Sequence, residues 1–162
     1  MESNSKILCA TLERALSGKG SHAATRKVLD GLDWKNAGVR PDGAPHSVFQ
    51  LANHMIYWQE WVVKWLDGES PKVPKHARGS WPGRVTPASR KEWEQIVRRF
   101  LGSLDALERR SRAGDPLTKH GKKTHLEMLH SIASHNSYHA GQVAFLRQLL
   151  GTWPPPSGGV TW

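Results

Sequence analysis

Nine histidines hold most of the latent chemistry of this chain, which has only one cysteine, Cys9. Two of them, His135 and His139, stand four residues apart in HNSYHAGQVAFLRQLLG. Side chains at i and i+4 are neighbours on a helix, so H-x-x-x-H lets two imidazoles reach one ion. At about 100° per residue, His139 lies about 40° from His135. Met128, Ile132, Val143, Leu146 and Leu150 fall within about 80° on the same side. Both histidines therefore face inward. On a second segment, His54 shares its face with Leu51, Trp58, Trp61, Val62 and Trp65.

Three inward histidines on two helices admit two readings. Each is a separate hydrogen-bonded core residue, or together they hold a metal. The spacing favours the metal, because His54 supplies the third ligand that H-x-x-x-H lacks. Imidazole suits zinc, nickel, copper and iron(II). Three neutral ligands leave the ion its full charge and an open position, as in a catalytic site. Neither face carries an acid, so the ion should attract hydroxide, thiolate or carboxylate and lower the pKa of what it binds. Asn53, Asn136, Tyr138 and Gln142 are near enough in sequence to orient the ligand rings. Trp58, Trp61, Trp65 and Gln142 are the expected substrate-pocket residues.

These residues need helices to carry them, and four helical regions are expected. The first covers residues 5–32, broken at Gly18 and Gly20 of GKGS. The second starts at Ser47, whose spacing to Gln50 is that of a capping box, and ends near Asp67-Gly68. The third starts after Thr86-Pro87 and runs to about Gly114. It carries an apolar stripe of Trp93, Ile96, Val97, Phe100, Leu104 and Leu107. The fourth starts at Thr124, boxed by Glu127, and ends at Gly151. Three consecutive prolines keep the tail, residues 152–162, out of any helix. Trp153 and Trp162 bracket that tail, which is expected to pack across the bundle or across a partner subunit. The expected architecture is one all-α domain over residues 1–162, a four-helix bundle.

The net charge of +9 raises the prior for an anionic partner or substrate. However, the basic residues are interleaved with acids along helical segments, which weighs against a nucleic-acid stripe. No apolar run is long enough to cross a membrane, and the N-terminus lacks a signal-peptide pattern. A lone cysteine fits a reducing cytoplasm. Cys9 itself is expected to be a buried helix residue among Ile7, Leu8, Leu12 and Leu16. His22, His46, His76 and His120 fall in loops or breaks, and His125 and His130 face solvent or cap a helix. Phe49, Ala52, Ile56 and Val63 form a second apolar side on the His54 helix, which suggests a homodimer.

The tracts HSVFQLANHMIYWQEWVVKWLDGE and YHAGQVAFLRQLLGTWPPPSGGVTW resemble the DinB-like superfamily of metal-binding bundles. His54, His135 and His139 match its one-plus-two histidine pattern. The resemblance implies an up-down-down-up bundle, often dimeric, with zinc or nickel on the three histidines. It also implies a class of activity, since some relatives transfer a low-molecular-weight thiol to a small electrophilic substrate and others isomerise with a thiol cofactor. The resemblance thus implies a metal-dependent thiol S-transferase. A metal-dependent hydrolase and a non-catalytic, stress-response binding module are the alternatives.

Overall fold

In a computed structural model that describes residues 2–158, the regular structure is helical apart from one hairpin of two two-residue strands. The long helices are α1 (Glu2–Ser17), α3 (Val48–Leu66), α4 (Arg90–Arg112) and α5 (His125–Leu149). A one-turn helix, α2 (Trp34–Ala37), lies between the first two. Contacts run from α1 to α4, α4 to α3, α3 to α5 and α5 back to α1, closing a ring of four helices.

The two helices that carry the histidines begin where the capping boxes place them. Ser47 Oγ accepts from Gln50 N while Gln50 Oε1 accepts from Ser47 N. Thr124 and Glu127 repeat the exchange at the start of α5. Each box satisfies backbone donors that a helix start otherwise leaves unpaired. Gly68 and Gly151 follow the helix ends with φ of 88° and 65°, a left-handed turn that costs glycine nothing.

Two expected boundaries need correction. Helix α4 starts at Arg90, not after Thr86-Pro87, because Ser89 is the better cap. Ser89 Oγ accepts from Glu92 N, and the Glu92 carboxylate accepts from Ala88 N and pairs with Arg84. Thr86 instead packs so tightly on Gly38 that a Cβ there would sit 2.7 Å from its methyl carbon. The first helix stops at Ser17 and does not resume after the glycines; only a 3-10 turn, Thr25–Lys27, follows. Side chains satisfy carbonyls in that segment: Trp93 Nε1 donates to Leu32 O, and Arg147 Nη1 donates to Val28 O. The loop before α5 contains strands β1 (Lys119–His120) and β2 (Lys123–Thr124), paired around Gly121.

Apolar packing forms two clusters. One joins Val28, Phe49, Met55, Trp93, Phe100 and Val143; the other joins Leu12, Leu16, Trp65, Leu107 and Leu129. On the second apolar side of α3, Phe49, Ala52 and Ile56 are buried within this chain and Val63 is half-buried. Cys9 is half-buried rather than buried, and Ile7 is exposed, because Leu12 and Leu16 define the inner face of α1. Several surface arginines meet the interleaved acids, as in Arg99–Glu60 and Arg110–Asp67. Among the described residues, no helix is long and apolar enough to cross a membrane.

The described part of the tail folds back on its own bundle. Ser157 N donates to Asp30, and Lys27 Nζ donates to Ser157 O. Trp162 lies outside the described residues. Arg147, 1% exposed, holds the junction: it donates to Val28 O and Thr152 O, and Trp153 stacks on its guanidinium at 5.5 Å. We predict that Arg147→Leu costs about 2–4 kcal/mol of stability, since hydrogen bonds from a charged donor are lost and buried carbonyls are left unpaired. Arg147→Lys should recover little, because one ammonium cannot span both carbonyls. Urea unfolding measures both, and an Arg147→Leu chain as stable as the parent would contradict the assignment.

Candidate metal centre

Helix α3 sends His54 inward and α5 sends His135 and His139 to meet it. One ring nitrogen from each lies within 4.8 Å of the other two, and among the described residues this is the group of such ligands that could hold a metal ion. The Nε2 atoms of His54 and His135 are 3.1 Å apart, and the His135 and His139 ring centres are 4.4 Å apart. His54 and His139 are each 7% exposed, and His135 is half-buried.

The opposite ring nitrogens are tied back. His54 Nδ1 faces Ser80 O at 3.3 Å, and His139 Nδ1 faces Gln142 Oε1 at 2.6 Å. Ser80 O can only accept, so the His54 hydrogen sits on Nδ1 and its lone pair on Nε2; with Gln142 Oε1 toward the ring, His139 takes the same tautomer. This is the second-layer arrangement that orients imidazole ligands and raises their basicity. Burial also holds the rings neutral. It lowers the pKa of His54 to about 4, with His139 adding to the effect, and that of His135 to about 4, with His139 and His54 adding. His139 is lowered as well, again first by burial. Neutral, desolvated and convergent imidazoles fit a divalent ion in their chemistry.

The aromatic surroundings differ from those expected. Trp81 stacks on His54 at 3.9 Å, and on its other face lies His46 at 3.8 Å. Both came from segments read as loops. Their signal in the sequence is faint: a tryptophan within a Pro/Gly-rich loop, and a histidine just before a helix cap. Trp58 meets the edge of His54 at 6.5 Å. Trp61 is further along, against Trp58, with its indole donating to Lys72 O. Trp65 sits in the other apolar cluster, against His120 and His125. Helical phase puts all three tryptophans on one face, and the eleven residues from His54 to Trp65 advance the axis by about 16 Å.

The orienting candidates separate cleanly. Gln142 holds His139, and Asn136 is fully buried beside His135. Tyr138 is exposed, with its ring 5.0 Å from His139, and Asn53 donates to Phe49 O on its own helix. Among the histidines set aside, His22 bonds Ala23 O and Ser137, His120 bonds Glu69 O, and His76 and His130 are exposed. A cavity of about 380 Å³ adjoins the centre, lined by Pro45, Leu51, Phe145, Leu146 and Leu149, with His46 and Gln142 on its wall. No metal-facing histidine lines it, so Gln142 and His46 are its links to the site.

In comparisons with known proteins, a family model described as the DinB superfamily matches residues 19–143. No curated protein and no solved structure matches the chain.

The lowered histidine pKa values predict how metal-free stability depends on pH. Below pH 6.5 an unfolded histidine takes up a proton that the folded ring refuses until about pH 4. Stability should therefore fall as pH drops through that window. A His54→Gln/His135→Gln variant should lose part of that slope while keeping the slope from carboxylates. Urea midpoints across the window measure this; parallel curves for the two proteins would contradict the desolvation argument.

Proposed function

The chain belongs to the DinB superfamily, and from that premise we propose that it is a divalent-metal enzyme of the thiol S-transferase type. The observation that carries this is the donor set: three neutral imidazoles with no carboxylate among them. His54, His135 and His139 would hold the ion through Nε2. When bound, a divalent ion there supplies Lewis-acid chemistry, lowering the pKa of a thiol or water at its free position. Imidazole ligands suit zinc and nickel among other ions, and these two are the ones the family resemblance implies.

The chain's own groups do the rest. Ser80 O and Gln142 fix the orientation of two ligand rings. Trp81 covers one face of His54 and Trp58 its edge, which keeps water from the ring. With no protein carboxylate to balance it, the site favours an anionic partner such as a thiolate. The apolar cavity beside Gln142 is suited to the small electrophile that the thiol attacks. The reading describes a small-molecule enzyme, with the basic surface serving solubility.

The test combines metal analysis with activity. The purified chain should carry about one divalent ion per chain, and His54→Ala should lose it. The loaded chain should speed the substitution of a chromogenic aryl halide by a low-molecular-weight thiol, with halide and a proton released, and chelation should abolish this. A loaded chain inert with every thiol but active on an ester would favour metal-dependent hydrolysis. A chain that takes up no metal would sink both.

A further inference from the structure

One part of the basic surface does more than keep the chain soluble. Between Glu69 and Glu92 the sequence has six lysines and arginines and no acid. Arg84 is neutralised by Glu92. Lys72, Lys75 and Arg78 are exposed, and their side chains have no acidic partner among the described residues. Exposed cations are ordinary on a protein surface. What sets these apart is where their loop is fastened.

Both ends of the loop are tied to the histidine centre. At its start, the Trp61 indole donates to Lys72 O; Trp61 packs on Trp58, and Trp58 meets the edge of His54. At its end, Ser80 O faces His54 Nδ1 and Trp81 stacks on the His54 ring. Between these anchors lies the 3-10 turn Ala77–Ser80, closed by Ser80 Oγ donating to Ala77 O. Gly79 lies so close to Pro74 that a Cβ there would sit 2.7 Å from the proline Cβ, so the strap folds against itself. Pro74, Lys75, His76, Arg78 and Gly79 line one open concavity. Arg78 is two residues from Ser80, a backbone span of at most about 7 Å. A molecule of a few residues' length can therefore reach from the ion site to the strap.

The two flanks of the centre differ in charge. The apolar cavity adjoins Gln142, which holds His139, and Asp42 is among its lining residues. An anion is disfavoured beside that carboxylate. The strap lies at His54, and its charged residues are all cations.

We propose that Lys75 and Arg78 bind a carboxylate on the thiol, so that the site pairs a carboxylate-bearing thiol with an uncharged electrophile. Lys72, at the anchored end, adds to the positive potential. The inference rests on the reading that a metal on the three histidines activates a thiol. The ion would hold such a thiol by its sulfur and the strap by its carboxylate. Two-point attachment orients the sulfur, and the apolar cavity is left to the electrophile.

Calorimetric titration of the zinc-loaded full chain with two thiols tests this: N-acetyl-cysteinyl-glycyl-glycine and its C-terminal amide, which differ by one negative charge. The acid should bind roughly ten-fold tighter than the amide at low salt, and the gap should narrow as salt is added. Lys75→Gln/Arg78→Gln should bind both thiols as the parent binds the amide, with its zinc content unchanged. Arg98→Gln/Arg109→Gln removes the same charge from exposed positions on α4 and should keep the preference. In the aryl halide assay, the strap variant should raise KM for the acid by roughly ten-fold and leave kcat in place. Equal binding of acid and amide by the parent overturns the proposal. So does a preference that survives in the strap variant, or one that the α4 variant loses as well. Equal binding with transfer intact overturns the strap alone. A preference for the acid with no transfer to any electrophile supports the strap and overturns the transferase reading. Binding of neither thiol overturns both.

Discussion

Desolvation of three imidazoles is the constraint on which the rest of this structure turns. A buried ring nitrogen must find a partner or bear an energetic penalty. The fold answers at each outer nitrogen it can reach, with Ser80 O at His54 and Gln142 at His139. Those bonds aim the remaining nitrogens at one another. The same burial strips the rings of charge at neutral pH, so convergence costs no cationic repulsion. Three neutral imidazoles converging in this way could hold a metal ion.

The bundle is organised around that need. On α3, Gln59 falls between residues of the two apolar clusters; Ser103 does so on α4, and Asn136 on α5. A buried polar layer thus separates two hydrophobic ones, beside the histidines. It is joined by side-chain hydrogen bonds across three helices, so the helices cannot slide without breaking it. The loop after α3 adds the outer covering, with Trp81 stacked between His46 and His54. The buried Arg147 anchors both the turn after α1 and the tail.

Much of this was legible in the sequence because it depends on local rules. The capping boxes at Ser47 and Thr124 fixed where the two ligand helices begin, and the 3.6-residue period then put His54, His135 and His139 on inner faces. The family likeness supplied the joint pattern, and the chain belongs to that family. What was not legible depends on contacts distant in sequence. Trp81 and Ser80 reach His54 from a loop without periodicity, and His46 is placed by its stack on Trp81. Trp65 packs against His120 and His125, a contact that phase around a helix does not reveal. The segment after Gly18 lost its expected helix to tertiary hydrogen bonds from Trp93 and Arg147, which no local propensity encodes.

The central claim is that the three imidazoles bind one divalent ion through Nε2. X-ray absorption at the zinc edge of the loaded chain tests this directly. The account predicts a first shell with nitrogen at about 2.0 Å and outer-shell scattering from three imidazole rings, falling to two in a His54→Ala chain. A spectrum without imidazole scattering, or one that His54→Ala leaves unchanged, would contradict it.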